Sequence, residues 1–480
     1  SFVVERAIDD AADAPELRRF LYESLVLAVA FGLPDGPRWV RRFDLRLRER
    51  RTPPALRQSA VALCELVLAV GRLGRTLTRE RVARIAWELL GGEAWVSNIR
   101  LSFALKTSDE EAAQKLGEAD LEGARPVDLG YRYALLASAA ARSGRHDVFF
   151  ALHARANELL KKDGSLVSCL RRLNLEIDHG LVHSSRGDFH LAWQCFAEVL
   201  AFDNRFARRT IFASSAAHIV EICLLRGQPE RARELLDRYE ASLLASDPGP
   251  ILRMTLHHLR AETALGERDE RKARDALARA EALLGELPHE GFRATLLRTR
   301  ARLEALDRSE EGYVRAFRLL DRSDAILEAR GRSGLAELSL NLVTRGQFHL
   351  ERREGERALE CCAAGLEIAR SYGFLPVWVR GFILKSYLLL ETGRDTSESL
   401  YEQVLHELGL VRDPALLFEV IANLYLYTWN LEQAHLDLTD THLKQLHRLR
   451  EALEPEHFQD LYRRLVLRRV VERFERPREG

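Results

Sequence analysis

The sequence predicts an all-α protein, a right-handed superhelical array of antiparallel helix pairs that follows an N-terminal helical domain. Segments rich in Leu, Ala, Arg and Glu carry apolar residues at helical spacing, for example Leu235, Leu236, Tyr239, Leu243 and Leu244. We find no convincing alternation of apolar and polar residues between Asn-Gly or Asp-Gly turns, the pattern that is typical of strands. A parallel sheet or a barrel is therefore not expected.

An internal repeat indicates how the helices are arranged. A small residue just inside a helix recurs at steps of 40 to 43 residues, and in most copies a larger apolar residue follows one helical turn later. The copies are Ala151, Ala192, Ala232, Ala273, Ala316 and Ala358, with Leu400 as a weaker one. Several copies follow a polar or glycine turn, such as residues 186–188 (RGD). Each period therefore contains helix, turn and helix, and stacked pairs bury apolar surface that a single pair leaves exposed.

Two segments resemble the turn and second helix of tetratricopeptide repeats, residues 186–196 (RGDFHLAWQCF) and residues 355–362 (GERALECC). The period is longer than the standard repeat of about 34 residues. It is more similar to the long-helix arrays that serve as sensor regions in MalT-like transcription activators and in signal-transduction ATPases of the STAND class. The resemblance covers residues 127–435 and implies a protein or peptide recognition module within a larger regulatory protein.

Residues 1–125 do not follow the repeat register and are predicted to form a separate helical domain. Within them, residues 63–107 resemble the winged-helix domain of OmpR-type and antibiotic-regulatory-protein activators, because a Thr-Arg-Glu helix that reaches a Trp precedes a second helix. This resemblance implies a DNA-binding regulator as the alternative function. The residues that would face the DNA groove are Ser97, Asn98, Arg100 and Ser102.

A second interpretation of residues 63–107 is an irregular first repeat that caps the array. The candidate recognition helix carries only Arg100 and Lys106 as basic residues, whereas such helices usually carry several for phosphate contacts. We favour the capping repeat, since terminal repeats are normally atypical. The predicted domains are therefore 1–125, the repeats at 126–435 and C-terminal capping helices at 436–480.

Composition and charge indicate which kinds of partner the protein binds and in which cellular compartment it is expected. Lys plus Arg and Asp plus Glu both number 72, so bulk charge does not favour a nucleic-acid or membrane-surface binder. The longest apolar run, residues 25–33, is far shorter than the roughly 20 residues that span a bilayer. Six cysteines without a CxxC pair are typical of a reducing compartment, so we expect a cytoplasmic protein. The chain begins at Ser1, which suggests a segment of a longer protein.

No catalytic residue, metal or cofactor is predicted. The sequence contains neither GxxxxGK[ST] nor GxGxxG, so a backbone cradle for phosphates is missing, and it contains no HExxH. His179 and His183 are spaced to share a helix face, where two imidazoles can bind a metal. Among fifteen histidines, however, a chance pair at this spacing is expected, and no third ligand is fixed.

Four polar residues on one predicted first helix form the candidate partner-binding site, namely Asn174, Asp178, His179 and His183. The same helix carries leucine and isoleucine residues for the core, so its surface is partly apolar and partly wet, as a groove lining requires. We expect the first helices to line the concave side, where an extended peptide or a partner helix docks. The other interpretation of the four residues is a solvated outer face.

Overall fold

The computed structural model describes residues 94–106, 110–118, 124–202, 211–244, 250–285 and 290–391, together with single helical residues at 418, 421, 444, 448 and 451. Most of the predicted N-terminal domain lies outside these residues, as do the first part of the winged-helix segment, Leu400 and nearly all of the predicted C-terminal caps.

Fifteen α-helices make up the described part of the chain, and it contains no strand. They are α1 Ala94–Lys106, α2 Glu110–Glu118, α3 Pro126–Arg142, α4 His146–Asp163, α5 Leu166–Ser185, α6 Phe189–Ala201, α7 Ile211–Leu225, α8 Pro229–Leu244, α9 Pro250–Gly266, α10 Glu270–Leu284, α11 Glu290–Ala305, α12 Glu310–Glu328, α13 Leu335–Glu351, α14 Gly355–Tyr372 and α15 Leu375–Glu391. A short 3₁₀ turn, Gly331–Gly334, joins α12 to α13. None of these helices combines the length and the apolar character needed to cross a membrane.

The helices belong to two compact units, the first comprising residues 1–142, 146–178 and 199–213 and the second residues 143–145, 179–198 and 214–480. In the first unit α1 packs against α2 and α3, and α3 pairs with α4. In the second unit α9 pairs with α10, α11 with α12 and α13 with α14. Each pair is joined by a short turn and is therefore antiparallel. The predicted all-α array of helix pairs is confirmed.

In the described part of the chain, a residue with left-handed backbone follows the end of α3, α5, α7, α9, α11 and α13 by two or three positions. The six residues, which we call the turn residues, have φ values of 69° at Gly144, 73° at Gly187, 66° at Gly227, 62° at Arg268, 52° at Arg308 and 62° at Arg353. In several of these turns the next residue donates its N–H to the carbonyl five positions earlier, as from Asp188 to His183 at 2.9 Å. This Schellman arrangement satisfies carbonyls that the helix end leaves free.

The turn residues set a register in which the fourth residue of every second helix is buried. These residues are Phe149, Ala192, Ala232, Ala273, Tyr313 and Ala358, each at most 4% exposed. Four of the predicted small residues occupy this place. Ala316 is also fully buried, but one turn further along its helix, and Tyr313 takes the equivalent place.

The prediction for Ala151 was wrong. Ala151 is exposed, and the buried position in α4 belongs to Phe149. Two residues along a helix correspond to a rotation of about 200°, so Ala151 points away from the side on which Phe149 lies. A small residue is not required at every contact, because this pair accommodates a phenylalanine.

Helices approach closely where the first helix carries glycine. A Cβ atom added to Gly180 of α5 would lie 2.6 Å from the ring of Phe196 in α6. A Cβ atom added to Gly346 of α13 would lie 2.5 Å from the sulfur of Cys362 in α14. Both distances are too short for real carbon contacts, so these pairs pack directly on the glycine backbone.

Replacing Ala232 by leucine is expected to lower the free energy of unfolding by roughly 1–3 kcal/mol, because the site is fully buried and has no room for three more carbons. Urea denaturation followed by circular dichroism measures this loss. Arg233→Ala is the control, since the Arg233 side chain is about half exposed and its ion pair with the mostly buried Glu267 is open to solvent on the arginine side. Equal stability of the two variants would contradict the register.

Candidate functional site

The register places mostly polar residues on one face of the first helices in the second unit. Thirteen positions before the turn residue lie Ser214, Thr255, Thr295 and Leu340, and six positions before it lie Leu181, Glu221, Glu262, Arg302 and Gln347. Seven residues are two helical turns, so both rows share one face of each helix. We call these nine residues the first-helix face. All of them are exposed or half-buried.

Successive first helices repeat this face closely. The order of buried, half-buried and exposed residues from 251 to 260 in α9 is identical to the order from 291 to 300 in α11. Arg253 and Arg293 are the exposed residues of these two stretches. A segment lying across α9 and α11 would therefore meet the same pattern of accessible positions at each step.

A chain of polar contacts, which we call the polar ladder, joins α9 to α11. The hydroxyl of Thr299 lies 3.0 Å from Nε2 of His258 and donates to Oε1 of Glu262 at 2.7 Å. The guanidinium of Arg302 forms an ion pair with the other carboxylate oxygen of Glu262. Thr299 is fully buried, and the side chains of His258 and Glu262 are 12% and 19% exposed. These contacts are therefore largely shielded from water.

The polar ladder continues from α11 to α13. Arg298 forms an ion pair with Glu337 and donates to Oδ1 of Asn341 at 3.4 Å. Asn341 is fully buried and donates to Ser323 and Asp324 of α12, both at 2.8 Å. The side-chain amide of Asn341 therefore meets partners on two neighbouring helices, which lowers the cost of its burial.

The charges of the polar ladder control the ionisation of Glu262. Burial alone would raise its pKa, but Arg302, His258 and the Thr299 hydroxyl, with a smaller effect from Arg298, lower the pKa to about 2. The pKa of His258 is lowered, chiefly by burial and further by Arg298 against the opposing effect of Glu262. Glu262 is therefore a carboxylate at neutral pH.

Asn174 and Asp178 lie on the side of α5 that the sequence predicts to be accessible. Asn174 is exposed, and its amide donates to the carbonyl of Leu170 in the same helix at 3.0 Å. Asp178 is half-buried and accepts a hydrogen bond from the hydroxyl of Ser138 in α3. Asn174, which belongs to the first unit, precedes its turn residue by the same thirteen positions as Ser214 does in the second.

His179 and His183 lie on a different side of α5 from Asn174, towards the second helix of their own pair. Their Nε2 atoms are 3.0 Å apart, and Nδ1 of His179 is 3.6 Å from the sulfur of Cys195 in α6. Nδ1 of His183 is 3.5 Å from the carboxylate of Asp188. Burial and the neighbouring His179 lower the pKa of His183, although Asp188 opposes the shift.

The four predicted residues differ in exposure, since Asn174 is exposed and Asp178, His179 and His183 are half-buried. One residue along a helix is a rotation of about 100°, which carries His179 and His183 away from the side that Asp178 occupies. Asn174 remains as an exposed member of the predicted set. The partner-binding role of the four residues stays a prediction.

The residues of the DNA-binding alternative pack against α3. Asn98 is fully buried; its amide donates to the carbonyl of Asp128 at 2.7 Å, and its oxygen accepts from Arg132 at 3.1 Å. Arg132 also donates to the hydroxyl of Ser97 at 2.7 Å.

The other two residues of that alternative are also removed from solvent to differing degrees. Ser102 is 6% exposed, and Arg100 is half-buried, with its pKa lowered by that burial. Asn98 and Ser102 are therefore both buried in this arrangement of α1. The DNA-binding alternative stays a prediction, and residues 63–93 and 107 of its segment lie outside the described part.

Comparison with known proteins yields structural similarity alone. No protein-family model and no curated protein matches the chain. It is similar to a STAND protein with a tetratricopeptide repeat sensor from Pyrococcus horikoshii, at 10% identity and a TM-score of 0.38. That match covers 96% of this chain and 66% of the other, so the chain spans just under two thirds of that protein. A circular tandem repeat protein with novel repeat topology and enhanced subunit contact surfaces matches at 16% identity, with a TM-score of 0.11 and coverage of 95% and 98%.

The polar ladder was missed at the sequence level although a signal for it exists. Glu262 and Arg302 precede their turn residues by the same number of positions, and an alanine comes directly before each of them. Counting back from the turn residue therefore places Glu262 and Arg302 at equivalent positions of their helices. The small residues of the second helices, on which the predicted repeat is aligned, say little about the polar side of the first helices.

Proposed function

We propose that the chain is a non-catalytic protein- or peptide-binding module of a larger regulatory or signalling protein, that it acts in the cytoplasm, and that the first-helix face is its binding surface. The observation that carries this proposal is the recurrence of mostly polar, exposed or half-buried residues at one register on successive first helices. A linear, repeated surface suits an extended segment, whose backbone and side chains also recur at regular steps.

The contacts of the polar ladder support the same surface. Because Glu262, Arg302 and Arg298 already have partners, the surface carries few unpaired charges that a partner would have to neutralise. Buried polar groups with complete hydrogen bonding also hold neighbouring helices in one arrangement. A preformed surface loses less conformational entropy when a partner binds. The resemblance of the repeats to sensor arrays of MalT-like and STAND proteins supports a sensing role.

Peptides selected by phage display against the whole chain test this proposal. A photo-crosslinking residue placed at Gln347, which is exposed on α13, is expected to capture the selected peptides. The combined change Leu181→Arg and Gln347→Arg alters two exposed positions of the first-helix face. It is expected to weaken peptide binding about tenfold or more, since it adds bulk and charge to the surface.

The matched control places the same crosslinker at Arg318, an exposed position on the second helix α12. Peptides that crosslink from Arg318 and not from Gln347, or that bind the double variant as well as the native chain, would place the site elsewhere. Circular dichroism confirms that each variant is folded.

A further inference from the structure

Three of the six turn residues are arginines at a backbone conformation that suits glycine. Arg268, Arg308 and Arg353 have φ values of 62°, 52° and 62°, whereas the equivalent residues of the three preceding turns are glycines. A side chain with a Cβ atom is strained in this region, and glycine is not. Burial of the side chains does not offset this backbone strain, because all three arginines are exposed.

The three guanidinium groups are also unpaired. Within the described residues, none of these side chains forms a hydrogen bond, an ion pair or a ring contact. The neighbouring carboxylates are already paired, since Asp307 accepts from Arg315 and Glu354 from Arg352. Three strained, exposed and unpaired arginines therefore occupy one position in three successive turns of the second unit.

We propose that Arg268, Arg308 and Arg353 form a basic row that binds an acidic segment of a partner protein. The first helices α9 and α11 contact each other, as do α11 and α13, and packed helices lie about 8–10 Å apart, so successive turns recur at about that step. An extended peptide advances about 3.3 Å per residue, so carboxylates at every third position match the row. This surface is separate from the first-helix face and does not depend on the proposed function there.

An acidic peptide fits the row better than a nucleic acid does. A duplex carries one negative charge for about every 1.7 Å of its axis, and such dense charge would lie against Asp307, Glu310 and Glu354 as well as the arginines. A peptide can place neutral residues beside these carboxylates. The basic row therefore favours a partner whose negative charges are separated by neutral residues.

A fluorescein-labelled peptide of about ten glutamates is a suitable probe, since it is long enough to reach three turns. We expect it to bind the whole chain with an affinity that falls as salt is raised. The triple variant Arg268→Gly, Arg308→Gly, Arg353→Gly is expected to bind about tenfold more weakly, because three exposed ion pairs are lost. Its melting temperature is expected to rise by about 2 °C or more, because the strain is relieved.

Two further triple variants show whether binding depends on positive charge at these three turns. Replacing the same arginines by lysines keeps the charges and is expected to retain most of the binding. The changes Arg238→Ala, Arg279→Ala and Arg318→Ala remove three exposed charges from second helices, and none of these arginines has an ion pair or hydrogen bond among the described residues. This control is expected to bind the probe within about twofold of the native chain.

The proposal fails if the glycine variant binds the probe as tightly as the native chain, or if the control triple loses as much affinity. It also fails if the native chain does not bind oligoglutamate at low salt, or if a DNA duplex of equal charge competes better than the peptide does. Loss of binding together with a raised melting temperature supports it, since damage to the fold would lower that temperature.

Discussion

Phe196→Ala is expected to lower the free energy of unfolding by about 3–5 kcal/mol, the usual cost of truncating a fully buried phenylalanine. The ring lies directly over the backbone of Gly180 and stacks on the imidazole of His218, with 5.2 Å between ring centroids. Its removal leaves a cavity at a contact between three helices. Urea denaturation followed by circular dichroism measures the loss.

Trp193→Ala is the matched control on the same helix. Trp193 is half-buried, and its ring faces the guanidinium of Arg231 at 5.3 Å. A cation–π contact of this kind is worth about 0.5–1 kcal/mol and part of the Trp193 ring already lies in water, so this variant should lose less than Phe196→Ala. If both variants lost the same amount, the close contact between α5 and α6 would be in doubt.

Acid is expected to destabilise the second unit through Glu262. The folded carboxyl has a pKa of about 2, well below its ordinary value of 4.5, so its ionised form stabilises the folded state. That contribution is complete above about pH 4.5 and is lost as the pH falls towards 2, because the unfolded chain then binds the proton first. A shift of this size corresponds to roughly 3 kcal/mol. The stability of the native chain and of Glu262→Gln should therefore converge between pH 4.5 and pH 2.

Glu281→Gln provides the control for this pH dependence. Burial raises the pKa of Glu281 on α10, and Glu304 adds to the rise against the effect of Arg300. Its ionised form therefore does not stabilise the folded state. Neutralising Glu281 should not lower stability at neutral pH, whereas Glu262→Gln should. The opposite order of the two variants would contradict the geometry around Thr299.

The helices and their pairing could be predicted because each depends on local sequence. Apolar spacing of three to four residues indicates a helix wherever it occurs, and glycine turns such as that at Gly187 mark where one ends. The small residues Ala192, Ala232 and Ala273 indicate the register for the same reason. Ala151 failed because composition alone does not show whether a contact is filled by a small residue or, as at Phe149, by a large one.

The candidate site was less predictable because it depends on the rotation of each helix about its axis. An error of one residue turns a side chain by about 100°, which separated His179 and His183 from Asn174. To predict the polar ladder, the packing of α9 against α11 must also be known, because that packing determines the partners of Thr299. Once their positive φ values are known, the turn residues show how each first helix is rotated about its axis. From sequence alone, such a position is recognisable only where the turn residue is a glycine.

The matching burial of residues 251–260 and 291–300 has an evolutionary consequence. Each of these stretches begins a helix pair, and their starts are one period apart in the chain. An in-frame duplication or deletion of one such period would join a first helix to the same kind of neighbour that it had before. The number of pairs, and with it the length of the proposed binding surface, can therefore change by unequal recombination in the gene without a new kind of interface between helices.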